Sequence, residues 1–348
     1  GRDAFVLKLS ASGTLDYSTF MGGQQEDYGW GIAVNEAGQM FVAGTTASAD
    51  FPTTASAYQP SSGGGLDAFV FKLSSTGSQL LFSTYLGGAS SDYAECIVLH
   101  PTTGNPVVAG DTYSIDFPLS SGAYDPSPNP GWDAFITELT PTGGLRFSTY
   151  FGGNGDDYAM AVAQGLTGGP WIVGRTTSSD FPIAGGPYQG TALGTGDAFV
   201  SQFSAGGGTL DYSTYLSGTD DDWALGVALD GDGGTYVVGR AGAAFPFVPG
   251  SYRSTGALSD AFAVKLQEQG TMPDGGGGGD GGDGGGGGGD GGDGGQPDGG
   301  VPGRPLDALG CSCAAGISSS TAFAFAMLAA IAARTRQRRK PTSAPASQ

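Results

Sequence analysis

Acidic side chains are the groups in this sequence that are numerous and regular enough to do chemistry. Asp27, Asp92, Asp157 and Asp222 recur 65 residues apart, each followed by an aromatic residue (Tyr28, Tyr93, Tyr158, Trp223). Glu26, Asp156, Asp220 and Asp221 add carboxylates beside them. Gathered around one opening, such acids would bind cations, calcium first, or polyhydroxyl ligands. Bonded to nearby backbone amides they would only cap turns, and their recurrence in every copy favours that role. Asp230 and Asp232 with Gly233 hint at a calcium loop but lack the remaining ligands. The single histidine, His100, precedes Pro101 at a strand end and has no repeated counterpart, so a turn role outweighs a base or ligand role. Cys96 lies in an apolar run and reads as a buried free thiol. Glycoside hydrolysis needs only two carboxylates, but an enzyme should carry acids unique to one copy, and only Asp220-Asp221-Asp222 departs from the pattern.

The elements that must position these acids repeat as well. Asp-Ala-Phe starts at Asp3, Asp67, Asp133, Asp197 and Asp260; Ser-Thr-aromatic starts at Ser18, Ser83, Ser148 and Ser213; Phe-Pro starts at Phe51, Phe117, Phe181 and Phe245. A period near 65 residues gives four full repeats and one strand of a fifth. Each repeat holds four β-like runs, in the second copy residues 68–73, 80–86, 94–99 and 106–110, separated by Gly, Ser and Asn turns that suit antiparallel hairpins. No segment before Gly270 sustains a helical period. The expected fold is therefore all-β, a β-propeller of four-stranded antiparallel blades. The small and aliphatic runs at 31–34, 94–99, 159–163 and 224–229 fit the crowded innermost strands, with each blade running outward from them.

Several motifs carry a family resemblance: Asp67-Ala68-Phe69-Val70-Phe71-Lys72-Leu73, Tyr-Ser-Thr-Tyr-Leu with the two glycines that follow, and Val42-Ala43-Gly44-Thr45-Thr46 leading to Asp50-Phe51-Pro52-Thr53-Thr54. They resemble the bacterial seven-bladed β-propeller repeat, SBBP, over residues 1–267. The resemblance implies a propeller and leaves the ligand open. The chain opens inside a repeat without Met or signal peptide, so it reads as a fragment of a larger ring cut short before Gly1. The same pieces would also allow four blades closed by the N-terminal strand, although rings of four are uncommon.

Glycine divides the chain. Of 67 glycines, 21 fall between Gly270 and Gly303, in a stretch of Gly and Asp with no large apolar residue to build a calcium-binding roll. The expected organisation is a propeller over 1–270, a flexible Gly/Asp linker over 271–309, a sorting or anchor segment over 310–340 and a disordered tail over 341–348. In the sorting segment Cys311 and Cys313 precede a 20-residue apolar run from Ala314 to Ala333, long enough to cross a bilayer as a helix. Arg334, Arg336, Arg338, Arg339 and Lys340 follow and would hold that end in the cytoplasm. Cysteine motif, membrane helix and basic cluster resemble the myxobacterial C-terminal sorting signal, MYXO-CTERM. The resemblance implies protease processing near Cys311 or Cys313 and attachment at the cell surface; an ordinary C-terminal membrane anchor is the alternative.

Charge narrows the partners. The net charge is -19, and residues 1–270 hold 26 acids against 8 bases, so phosphate backbones would be repelled and nucleic acid is not an expected partner. No cofactor is expected, calcium being the one ion the acids admit. The functional expectation is a non-enzymatic, surface-displayed propeller binding an extracellular protein or polysaccharide. The alternative is a secreted propeller enzyme acting on glycans through paired carboxylates.

Overall fold

A computed structural model of the chain describes residues 1–165, 168–252 and 260–266. Their regular structure is all strand. The expected linker, membrane helix and sorting cysteines lie outside the described residues, and so does the tail.

The strands group into sheets that follow the sequence repeat. The first full blade runs β3 (Asp27–Val34), β4 (Met40–Thr46), β5 (Asp67–Leu73) and β6 (Leu80–Leu86), in that spatial order. The second runs β7 (Asp92–Leu99), β8 (Pro106–Thr112), β9 (Asp133–Leu139) and β10 (Leu145–Phe151). The third runs β11 (Asp157–Gln164), β12 (Pro170–Thr176), β13 (Asp197–Phe203) and β14 (Leu210–Tyr215). The fourth sheet has β15 (Trp223–Leu229), β16 (Thr235–Ala241) and β17 (Asp260–Leu266), and β1 (Ala4–Leu9) with β2 (Leu15–Met21) forms a two-stranded sheet. Every pairing is antiparallel between chain neighbours, the outcome that short polar turns dictate.

Blades stack by laying the first strand of one on the face of the one before. β7 packs across β3, β4 and β5; β11 packs across β7, β8 and β9; β15 packs across β11, β12 and β13. These first strands touch each other in turn, which matches the inner-strand phase read from their small side chains. Ile97 of β7 is sealed with Phe41, Ala43, Ala68 and Val70 of the preceding blade. Val162 of β11 and Val227 of β15 are sealed in the same way. At about 1.5–3 kcal/mol for each fully buried large apolar side chain, these interblade layers are the main stabilising term. The arrangement is propeller-like. Its two end sheets stay open: Ile32 of β3 is 43% exposed where Ile97 is fully buried, and Val238 of β16 is 42% exposed where Ala43 and Ala109 are fully buried.

A buried tyrosine ties each outermost strand inward. The hydroxyls of Tyr85, Tyr150 and Tyr215 each donate to a carbonyl (Ser48, Ser114, Ser178) at 2.7 Å. Each also accepts from the Phe-Pro amide, at 2.9 Å for Phe51 and Phe117 and 3.1 Å for Phe181. Burial pushes Tyr150 and Tyr215 up to about 12, so the hydroxyls stay protonated donors. Tyr150→Phe leaves the Phe117 amide and the Ser114 carbonyl unpaired in the core and is expected to cost about 1–3 kcal/mol, read as a lower urea midpoint with unchanged slope.

Candidate functional site

Asp27, Asp92, Asp157 and Asp222 are all buried. Their Oδ2 atoms accept from the amides of Gly23 and Gly88 at 2.8 Å and of Gly153 and Gly218 at 2.7 Å. Ser48, Ser114 and Ser178 hydroxyls donate to the same oxygens at 3.0, 2.9 and 2.8 Å. Thr46 and Thr112 hydroxyls bond Oδ1 of Asp27 and Asp92. In the fourth sheet, which has Ala241 and Ala243 at the Thr and Ser positions, the Gly242 amide takes over at 2.7 Å from Asp222 Oδ1. The Oδ2 atoms of these four acids, read from sequence either as channel-mouth ligands or as turn caps, face into their own turns and accept from the turn amides.

A second aspartate closes on each pair. A methyl group placed on Gly87 would lie 2.3 Å from Asp67 Oδ1 and 2.6 Å from Asp92 Oδ2; on Gly152 it would meet Asp133 at 2.5 Å and Asp157 at 2.6 Å. Two carboxylates thus converge over one glycine in these blades. Burial raises Asp92, Asp133 and Asp157 to about 7, the hydrogen bonds pull back against it, and the neighbouring aspartate adds to the rise in Asp92 and Asp157. Asp67 and Asp222 move upward for the same first cause, burial.

The remaining acids and the histidine have local partners. Glu26 accepts from the Tyr28 hydroxyl at 2.6 Å, Asp156 from the Trp132 amide at 3.1 Å, and Asp220 from the Ala243 amide at 3.1 Å. Asp230 accepts from the Gly234 and Asp232 amides and pairs with Lys265 at 3.0 Å, so it builds its own turn; Lys265 and the Gly234 amide hold it down at about 2. His100 Nδ1 faces the Thr102 hydroxyl at 3.1 Å across a turn. Cys96 is buried and free of disulfide. Among the described residues no group of three or more His, Cys, Asp or Glu is arranged to hold a metal ion.

A feature absent from the sequence reading defines the candidate site. Every inner strand bulges at the same place: the register slips between Gly29 and Gly31, Ala94 and Cys96, Ala159 and Ala161, and Ala224 and Gly226. The extra residues are Trp30, Glu95, Met160 and Leu225, each three positions after the capping aspartate. A bulge twists the strand and re-aims the side chains around it. It also presses the carbonyl of the preceding aromatic residue against the next strand. A Cβ on Gly44, Gly110, Gly174 or Gly239 would sit only 1.8–1.9 Å from the carbonyl oxygen of Tyr28, Tyr93, Tyr158 or Trp223. The capping aspartates repeat in all four copies while the bulged residues differ in every one. That contrast, variation at one fixed offset inside a constant frame, is the sequence signal that could have found the site.

Around the bulges the rings form a row. Tyr28 and Trp30 stack at 5.7 Å. Trp132, from the loop before β9, lies 5.6 Å from Tyr93, 5.2 Å from Tyr113 and 6.4 Å from Tyr158. Trp132, Tyr158 and Met160 form one small cluster, with Tyr93, Trp223 and Leu225 packed against it. The row continues into charge. The Arg175 guanidinium sits 4.9 Å and the Arg240 guanidinium 5.7 Å from the Trp223 ring centre. Asp221 joins them: Arg175 Nε donates to Oδ1 at 2.7 Å, Trp223 Nε1 to Oδ2 at 2.6 Å, and Arg240 Nη2 also reaches Oδ2. Arg175 and Arg240 stand opposite Tyr158 and Trp223 in their sheets, the position held by Thr45 and Asp111 in the first two blades.

The described residues thus form a repeated, propeller-like all-β protein. No family model matches the chain. It is 28% identical over 258 residues, 69% of its length, to a protein named "Regulatory protein FlaEY" from Caulobacter vibrioides (strain ATCC 19089 / CIP 103742 / CB 15). The match spans 26% of that relative's length.

Proposed function

We propose that this chain is a non-enzymatic binding propeller of the SBBP-like kind. It is exported, tethered through its C-terminal segment, and presents the bulged edge of its blades to an extracellular protein or polysaccharide. The observation that carries the reading is the contrast at that edge. The frame is constant, whereas Trp30, Glu95, Met160 and Leu225, and likewise Thr45, Asp111, Arg175 and Arg240, differ from blade to blade; Glu95, Met160, Thr45 and Asp111 are buried, and Trp30, Leu225, Arg175 and Arg240 reach the edge beside the aromatic rings. Rings with polar tips, a few charged groups and a rigid sheet behind them are the composition of a recognition surface. The linker of Gly and Asp and the MYXO-CTERM-like segment supply display and sorting in this reading.

The competing reading, a glycan-cleaving enzyme with paired carboxylates, finds less support. The acids that pair, Asp67 with Asp92 and Asp133 with Asp157, are buried and hydrogen-bonded inside their blades. Asp221 is ion-paired to two arginines. The test is a glycan and extracellular-matrix panel offered to the immobilised full chain, with reducing ends assayed in parallel. Saturable binding without release of sugar is expected. Turnover that Asp221→Ala abolishes would overturn the reading in favour of the enzyme.

A further inference from the structure

The Arg175–Asp221–Arg240 group is more than a stitch between blades. Two guanidiniums meet one carboxylate, so one positive charge is left over in a body with 26 acids and 8 bases. A guanidinium carries five N–H donors. Among the described residues Arg175 spends Nε on Asp221 and Arg240 spends Nη2. The other N–H groups of both forks are unspent, although the Arg175 side chain is only 17% exposed. Both cations are held against the Trp223 ring, which is itself fixed by its hydrogen bond to Asp221. Cation–π contact of this kind immobilises the forks and lowers the entropy lost when they grip a planar anion. Gly196 makes room for the ion pair itself: a Cβ there would lie 2.3 Å from Asp221 Oδ1 and 2.4 Å from Arg175 Nη2.

The surroundings select among anions. A dense polyanion would be repelled by the acidic body. A single carboxylate on an otherwise neutral ligand would not. Next to the arginines lie the half-buried ring of Tyr93 and the 37% exposed ring of Tyr113, seated on the buried rings of Tyr158 and Trp132, and beside Tyr113 and Pro130 a hollow of about 190 Å³. Sugars offer apolar C–H faces to such rings and hydroxyl donors to rim carboxylates such as Asp156. We propose that Arg175 and Arg240, held on Trp223, grip the carboxylate of a uronate residue, and that the accessible rings of Tyr93 and Tyr113 carry the adjoining neutral sugars of the same glycan. This rests on the binding reading above and names the ligand class for that edge.

The test is calorimetric titration of the full chain with a glucuronate-containing oligosaccharide and with its carboxyl-reduced counterpart, which differs only at the acid. The acid form is expected to bind at least tenfold tighter. Arg240→Gln and Arg175→Gln should each erase that difference. Arg240 is half exposed, so its variant is expected to keep the parent melting temperature. The fluorescence change on binding, taken as the difference between parent and Trp223→Phe, should follow the acid form only. Equal affinity for the two forms, full affinity in both arginine variants, or tighter binding of a peptide C-terminal carboxylate would overturn the proposal. Binding of reduced and acid glycans alike, indifferent to both arginines, would leave the binding propeller standing and remove only the uronate site. Failure to bind any glycan would remove the uronate site and leave the binding reading to the protein arm of the panel.

Discussion

Gly110→Ala is expected to melt on the order of 10 °C below the parent, or to accumulate as insoluble chain. The added methyl would lie 1.9 Å from the Tyr93 carbonyl oxygen and 3.1 Å from the Ala94 Cα, both backbone atoms that cannot turn aside. Relief requires undoing the bulge at Glu95. Undoing it slips the register of β7 by one residue, and a one-residue slip turns every later side chain to the opposite face. Ile97, now sealed between two blades, would leave its layer. Overpacking that cannot relax costs about 3 kcal/mol or more, and in a domain of this size that corresponds to the stated fall in melting temperature. Gly122→Ala is the control, because a Cβ there meets nothing within 4 Å. Circular-dichroism melts of the two variants decide the matter: equal midpoints would mean that the bulge does not press on its neighbour.

That glycine shows where sequence reading reaches and where it stops. The strand read over 68–73 is found as Asp67–Leu73, and the one over 80–86 as Leu80–Leu86, because turn residues bracket each run and leave little freedom in the ends. The inner strand was legible because close packing between blades admits only small or compact side chains. The bulge was not legible. It changes no residue type and no spacing; it changes a register, which exists only between two strands. The pairing of Asp221 with Arg175, 46 residues apart, was hidden for a similar reason, since the stacking of one blade on the next brings them together. The capping aspartates stood between the two cases. Their recurrence was plain, but whether their oxygens faced a channel or a turn depends on side-chain direction, and the answer came from Gly88 and Ser114.

The same aspartates should make the protein more stable in mild acid than in mild base. Asp92, Asp133 and Asp157 sit at about 7 in the folded chain, raised chiefly by burial, against an ordinary 3.8. The folded state therefore holds protons that the unfolded chain has already released. Their contribution is complete below about pH 4 and is lost as pH rises through 7. Each pH unit between folded and ordinary values is worth about 1.4 kcal/mol, so three such groups together lower stability by on the order of 10 kcal/mol across that span. The melting temperature is expected to fall by on the order of 20 °C from pH 5 to pH 8. Asp92→Asn imitates the protonated acid: its carboxamide oxygen can accept from Gly88 and Ser114 as Oδ2 does now. The variant should match the parent near pH 5, exceed it at pH 8 and show about two thirds of the parent's pH slope. A parent midpoint that stays level or climbs between pH 5 and 8 would show that the buried pairs remain charged. An Asn variant that kept the full slope would show that Asp92 is not one of the groups that titrate.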